Sequence, residues 1–294
     1  MPELPEVTAL AADLSTRLSG RTIDRLSVVA FAALKTVDPP VAALSGRTIS
    51  GVTRHGKFLD FVARAANEGD DDLHLIIHLA RAGWIRWRDA PPPPPSGRPG
   101  KGPLAARLVL DDGSGFDVTE AGTKKSLSIS VVRSPADVPG IARLGPDPLS
   151  PDFTREAFAA ILASAGRAQI KGVLRNQSVI AGIGNAYSDE ILHTAKMSPF
   201  KPASMTPDDV ERLYEALQST LRQALERADG LAASELKSEK KSGMQVHGRT
   251  GQPCPVCGDT VRQVIFADST LQYCPTCQTG GKPLADRVLS RLLK

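Results

Sequence analysis

From Glu6 the chain reads EVTALAADLSTRLSG, with Val7, Leu10, Ala11, Leu14 and Leu18 recurring every three or four positions. That spacing predicts an amphipathic helix, and Gly20 supplies its stop. The period then falls to two. TIDRLSVVAF, TISGVTR, KFLDFVAR, LHLIIHLA, GWIRWRD, ARLVLDD, GFDVTE and LSISVVR are short β-like runs split by turn sequences such as DDGSG. Short strands joined this way predict a β-sandwich or barrel. A proline run, PPPPPSGRPGKG at 91–102, reads as a stiff surface loop between two strands.

After RLGPDPLS the pattern changes again. Residues 152–230 carry helical periodicity throughout, in FTREAFAAILASA, LRNQSVIA, AYSDEILHTAK and DDVERLYEALQSTLRQALERA. An all-helical second domain is expected, with its boundary near 145–150. A charged stretch, SELKSEKKSGMQVHGRTGQP, leads from it into the cysteines. Strands followed by helices make the class α+β. The expected organisation is a β domain over 1–145, a helical domain over 150–235, a cysteine hairpin over 240–280 and a basic extension over 281–294. In that extension Leu284, Val288, Leu292 and Leu293 line up as one apolar stripe, with Lys282, Arg287, Arg291 and Lys294 around it.

Composition narrows the class. At 294 residues and 41% hydrophobic content the chain can build a real core. No apolar run approaches the roughly 18–20 residues of a membrane span, and nothing at the start reads as a targeting peptide, so the cytoplasm is the expected location. The net charge of +4 is unevenly placed: residues 231–294 hold nine Lys or Arg against five Asp or Glu, and the rest is balanced. A basic module with an anionic partner is the implied reading. No oligomerisation surface is evident, and a monomer is expected.

All four cysteines fall in one segment. Cys254, Cys257, Cys274 and Cys277 form C-x2-C-x16-C-x2-C, a spacing that lets two thiolate pairs across a hairpin grip one tetrahedral ion. The intervening TVRQVIFADSTLQY reads as two strands with a turn at Ala267–Thr270. Structural Zn²⁺ is the expected occupant, with a rubredoxin-like iron site as the competitor. Four protein ligands leave no open position for catalysis, and the rigid, basic-flanked hairpin suits contact with phosphates or a base.

Two further segments carry candidate chemistry. In AGIGNAYSDEIL, glycines let the chain turn tightly at a helix N-terminus, where Asn185 caps the helix or bonds a phosphate oxygen; an ordinary helix corner would look the same. Lys171, just upstream, is placed to add a phosphate contact or to stand in solvent. At the start of the chain, MPELPEV puts Pro2 behind the initiator methionine. Removal of Met1 would leave a free secondary amine, with an α-amino pKa of about 8 against about 10.4 for lysine. Attack of such an amine on a sugar C1′ gives an iminium, an electron sink for elimination at the neighbouring carbons. Glu3 and Glu6 are near enough to shuttle protons.

PELPEV, RHGKFL at 54–59, RLGPDPLS, QSVIAGIGNAYSDEIL, VHGRTGQPC and the paired C-x2-C occur in one order over residues 2 to 277. Together they resemble the formamidopyrimidine-DNA glycosylase/endonuclease VIII family of base-excision repair enzymes, closer to the formamidopyrimidine branch. The resemblance implies a β-sandwich with a catalytic N-terminal helix, and a helix–two-turn–helix domain with a zinc β-hairpin. It implies DNA in the cleft between them and the damaged nucleotide flipped out. By position Pro2 matches the Schiff-base nucleophile, Glu3 the general acid/base and Glu6 its supporting glutamate. Lys57 matches a lysine assigned to phosphate binding and β-elimination, Asn185 a phosphate-contacting asparagine, and the cysteines the zinc ligands. The implied activity is a bifunctional DNA glycosylase and abasic-site lyase acting on damaged or abasic DNA. A non-catalytic binder of such DNA on the same scaffold is the alternative, and a zinc-ribbon interaction protein a more distant one.

The chain departs from the family pattern where DNA is gripped. The arginine expected five residues before the third cysteine is Ser269, and Arg262 is the hairpin's only arginine. The expected intercalating methionine is Arg81, in IIHLARAGW. Where an Asp-Pro-Arg-Arg-Phe-Gly segment is expected, TEAGTKKSL at 119–127 offers Lys124 and Lys125 but no aromatic.

Overall fold

The computed structural model describes residues 1–65, 71–90, 102–266 and 269–285. The proline run at 91–101, the centre of the hairpin turn at 267–268 and most of the C-terminal stripe lie outside the described residues. Packing divides the chain into two compact units, Met1–Arg143 with Ala228–Leu236, and Leu144–Arg227 with Lys237–Lys294.

In the first unit, α1 (Leu4–Leu18) begins two residues earlier than its periodicity predicts. Pro5 stands in the first turn, where a missing N–H costs no helical bond, and Glu3 and Glu6 form a capping box around the helix start. Eight strands follow: β1 (Ile23–Val28), β2 (Thr48–His55), β3 (Phe58–Arg64), β4 (Leu73–His78), β5 (Gly83–Arg88), β6 (Leu104–Leu110), β7 (Gly115–Glu120) and β8 (Ser128–Val132). They make two antiparallel four-stranded sheets, in the orders β1-β6-β7-β5 and β2-β3-β4-β8. The alternation read in the sequence is the alternation of the sheets. Leu59, Phe61 and Ala63 of β3, and Leu73, Leu75 and Ile77 of β4, enter the same apolar core as Phe116 and Val118 of the other sheet and Leu10 and Leu14 of α1. The architecture is a β-sandwich with a helix on it, which settles the choice between sandwich and barrel.

The opposite face of the second sheet is not bare. Phe58, Ile76 and Val132 form a small cluster with Val138 and Ile141, brought by α2 (Pro139–Ala142). Residues 228–236, within the range expected for the helical domain, pack in the first core: Ala228, Ala233 and Leu236 join it, and Trp84 Nε1 donates to Ala233 O at 3.0 Å.

The second unit holds α3 (Arg155–Ala165), α4 (Ile170–Arg175), α5 (Asn185–Thr194), most of α6 (Pro207–Ala228) and of α7 (Leu236–Gly243). Helix is not continuous here, contrary to the periodicity. LRNQSVIA leaves the helix after Arg175, and residues 176–184 run as turns pinned by Gln177, whose amide donates to Ile183 O and accepts from Gly182 N. The cysteine hairpin is β9 (Arg262–Ile265) and β10 (Thr270–Tyr273), followed by a short α8 (Pro275–Thr279). Leu284, the described member of the C-terminal stripe, packs near Val264, Leu271 and Tyr273, and its N–H donates to Tyr273 Oη at 2.8 Å. Among the described residues no helix is long and apolar enough to cross a membrane.

Candidate active site and nucleic-acid interface

Two hydrogen bonds orient α1 on β2. Gly20 N donates to Ile49 O at 2.8 Å, and Val52 N donates to Ser15 Oγ at 3.2 Å. As the helix is followed back from Gly20 to Ser15, the strand advances from Ile49 to Val52, so the two run antiparallel. Ser15 to Glu3 is a helical rise of about 18 Å, and Val52 to Lys57 an extended rise of about 17 Å. The first turn of α1 is thereby carried to the end of the sheet that bears Lys57.

That first turn is buried. Pro2 is buried, Glu3 and Glu6 are each 1% exposed, and Glu3 N donates to Glu6 Oε2 at 2.8 Å. Lys57, 8% exposed, stands in the two-residue connection between His55 and Phe58. Gly56 takes φ +55° there, a left-handed conformation that a tight hairpin demands and glycine adopts without penalty. Arg54 Nη1 donates to Gly56 O at 2.9 Å and holds the turn from the strand side.

The sheet registers bring three more segments to the same end. Phe58 pairs with His78, His78 with Ser128, and Gly83 with Glu120. Arg81 is exposed in the turn after His78, closed by Gly83 N donating to Leu79 O at 2.8 Å, with Ala80 at φ +49°. Gly83 is required there, because a Cβ would lie 2.1 Å from Leu79 O. Lys124 and Lys125 are exposed in the segment between Glu120 and Ser128. Buried Glu120 shapes that segment: its Oε1 accepts from Ser126 N at 2.7 Å and Leu127 N at 3.0 Å, while Lys125 Nζ donates to Glu120 O. The sequence-predicted Pro2, Glu3, Glu6, Lys57, Arg81, Lys124 and Lys125 thus share one end of the sandwich.

His78 belongs to this group and is absent from the sequence expectation. Burial, aided by the neighbouring Lys57 charge, lowers its pKa to about 4, so the imidazole is neutral at physiological pH. Its signal was available, since His74, Ile76 and His78 alternate with the core-facing Leu73, Leu75 and Ile77.

In the second unit two expectations change. Lys171 is neither solvated nor open to a phosphate. At 5% exposure its Nζ donates to Asp189 Oδ1 at 2.6 Å, Ser188 Oγ at 2.7 Å and Asn185 O at 3.2 Å, and Asp189 Oδ2 meets His247 Nδ1 at 2.7 Å. Burial of an ammonium is tolerated because a carboxylate sits against it. Asn185 opens α5 as predicted, but its Nδ2 donates to Thr270 O of the hairpin at 2.7 Å, and its buried Oδ1 has no hydrogen-bond partner. The bond to Thr270 O uses one of the two N–H donors of that amide. Glu190, unremarked in the sequence, ties α5 to the start of the cysteine module by accepting from Gln245, Val246 and His247 N–H groups at 2.7–3.0 Å. Its burial raises its pKa above the ordinary carboxylate value despite those donors.

The four Sγ atoms of Cys254, Cys257, Cys274 and Cys277 lie within 4.8 Å of one another, with Cys254–Cys277 at 3.9 Å and Cys257–Cys274 at 3.3 Å. Zn–S bonds of about 2.3 Å in a tetrahedron set sulfurs about 3.8 Å apart. Without a cation, burial pushes Cys274 up to about 11 and raises Cys277 as well, so thiolates this crowded need a positive ion among them. The donor set fits one structural zinc. His193 Nε2 approaches Cys254 Sγ at 3.3 Å, a second-layer contact of the kind that orients zinc ligands. Arg262 is exposed on β9, and Ser269 O accepts from Phe266 N at 2.8 Å to close the hairpin.

Residues 1–122 match the model of the formamidopyrimidine-DNA glycosylase N-terminal domain, 144–235 that of the formamidopyrimidine-DNA glycosylase H2TH domain, and 251–280 that of the zinc finger found in FPG and IleRS. The chain belongs to the formamidopyrimidine-DNA glycosylase family. The formamidopyrimidine-DNA glycosylase of Symbiobacterium thermophilum is 33% identical over 288 residues, covering 95% of this chain and 89% of its own. An uncharacterised formamidopyrimidine-DNA glycosylase-like protein of Mycobacterium tuberculosis is 57% identical over 161 residues, 54% of this chain and 99% of its own. Among solved structures, the MutM (Fpg) protein of Thermus thermophilus superposes with a TM-score of 0.77 at 31% identity, covering 96% of this chain and all of that one. The Lactococcus lactis Fpg in complex with abasic-site DNA gives 0.79 at 27% identity, with 94% and 99% covered. The resemblance read from the motifs, and the fold class with it, is borne out along the length of the chain.

Proposed function

We propose that this member of the family is a bifunctional DNA glycosylase and abasic-site lyase, working as a monomer on damaged DNA through the amine of Pro2. The observation that carries the reading is the buried first turn of α1, where Glu6 fixes the Glu3 N–H next to Pro2. With Met1 removed, the Pro2 nitrogen is a secondary amine beside the positive end of a helix. That field disfavours the ammonium form and keeps a larger share of the amine nucleophilic. Attack on C1′ displaces the base as the N–C1′ bond forms. The C1′–O4′ bond then breaks, O4′ takes a proton and the opened sugar is left as an iminium; loss of a C2′ proton expels the 3′ phosphate. Glu3 is the group placed to move those protons. Lys57, with Arg81, Lys124 and Lys125 at the same end, supplies positive charge for the phosphates. Bound zinc supplies folding energy to the hairpin and no chemistry at the sugar.

Borohydride reduction on duplex DNA with one abasic site tests this. The enzyme should cross-link to the DNA, and Pro2→Gly should abolish or strongly weaken the adduct. An unchanged adduct in Pro2→Gly, or none in the unmodified protein, would leave the non-catalytic binder.

Lesion choice follows from the departures in the grip. With Arg81, the TEAGTKKSL segment and Ser269 in place of the expected groups, strand cleavage at abasic sites persists and 8-oxoguanine excision from duplex DNA is weak. Removing one Arg–phosphate contact is worth on the order of 1.5–3 kcal/mol. Excision of 8-oxoguanine at the rate of abasic cleavage would overturn this.

A further inference from the structure

The outer face of the second sheet carries a charged cluster that neither the core nor the proposed chemistry uses. Asp60, on β3, is 2% exposed. Its Oδ2 lies 3.0 Å from His55 Nε2, and its Oδ1 lies 2.8 Å from His74 Nδ1. His55 is the last residue of β2 and His74 the second of β4, so one carboxylate joins three adjacent strands. Each imidazole donates to it, which fixes the tautomer of both rings. His55 is also the residue directly before the Gly56–Lys57 turn.

A carboxylate buried this deeply is costly unless its oxygens are bonded, and replacing the whole cluster by apolar side chains is often neutral for stability. What the charged cluster adds is direction. Two charge-assisted bonds lock the base of a two-residue hairpin across its own strands, while Arg54 on the Gly56 carbonyl locks its tip. Lys57 therefore projects from a turn that is held on both sides. The neighbouring His78 and Phe58 rings, with centroids 4.5 Å apart, and Gly140, where a Cβ would lie 2.6 Å from Phe58, close the same face beyond it.

We infer that Asp60, through His55 and His74, is a positioning residue for Lys57, setting the lysine's place during strand cleavage. The inference rests on the reading of Lys57 as a participant in that step. Displacing a positioned group by about 1 Å costs up to about 100-fold in rate.

Single-turnover cleavage of an abasic-site duplex, alongside borohydride trapping, tests it on the full chain. Asp60→Asn should cleave 10- to 100-fold more slowly, and His55→Leu, a milder change at a half-exposed ring, about 10-fold more slowly. His55→Gln keeps a donor toward Asp60 and should restore most of the rate. Trapping through Pro2 should proceed at the unmodified rate in all three, because Pro2 sits on a different element. In a Lys57→Ala background, Asp60→Asn should add less than a further twofold. Unmodified cleavage rates in both Asp60→Asn and His55→Leu, or the same loss with and without Lys57, would overturn the proposal. If Lys57→Ala alone cleaves normally, the role of Lys57 falls first and the proposal with it.

Discussion

Two lysines in this chain are almost equally buried, Lys57 at 8% in the first unit and Lys171 at 5% in the second, and they are held by different elements. Lys171 meets a carboxylate at 2.6 Å and two further oxygens. Lys57 rides on a hairpin turn, and its charge helps keep the adjacent His78 neutral. A buried ammonium against a carboxylate is a stability device, because its charge is already answered inside the protein. The Lys57 ammonium is fixed by the turn that carries it, and its charge acts on an imidazole that stays neutral. Burial identifies both lysines as constrained, and only the neighbour tells what the constraint serves.

The contrast breaks most visibly in melting experiments. Lys171→Met leaves Asp189 buried without its cation and should cost about 3–5 kcal/mol, more than Lys57→Met, a substitution in a hairpin turn. Equal losses in urea unfolding would erase the distinction. The next effect is pH-dependent. His78 titrates near 4 in the folded protein and near 6.5 when unfolded, so its contribution is complete above pH 6.5 and is lost as pH falls toward 4, by at most about 3 kcal/mol. Replacing His78 by Gln should flatten that part of the stability–pH curve. In Lys57→Met the His78 resonance should titrate at higher pH than in the unmodified protein. The smallest effect is at the helix start: Glu6→Ala removes the acceptor of the Glu3 N–H and should destabilise by about 1 kcal/mol, while Glu6→Gln, which can still accept, should lose less than half of that.

Legibility differed between the two units for a physical reason. The sandwich was readable as short strands, because side chains alternate between the two faces of a sheet and the turn sequences between runs mark where each strand ends. The helical unit was readable only as helical. Its periodicity ran through LRNQSVIA, where Gln177 closes a turn instead, since apolar spacing cannot tell a helix from a compact turn packed on one. Site residues followed the same division. The Cys254–Cys277 set is local in sequence, so its chemistry showed in the spacing, and the chemistry proposed for the Pro2–Glu3–Glu6 start was likewise read from neighbouring positions. The fates of Lys171 and Asn185 depended on Asp189 and Thr270, and Asn185 lies 85 positions from its partner.

By itself the sequence determined the family, the α+β class and the four-thiolate metal site, and it put forward the amine chemistry proposed for Pro2. All of these rest on residues whose roles are set by covalent position or short-range period. Only the tertiary structure decided which neighbours several of the charged and polar side chains meet. It paired Lys171 internally, bonded Asn185 to the hairpin, placed His78 beside Lys57 and joined Asp60 to two imidazoles across three strands. A charge acts on a ligand only after its neighbours within the fold have been counted, and those neighbours are brought together by sheet register and helix packing rather than by order along the chain.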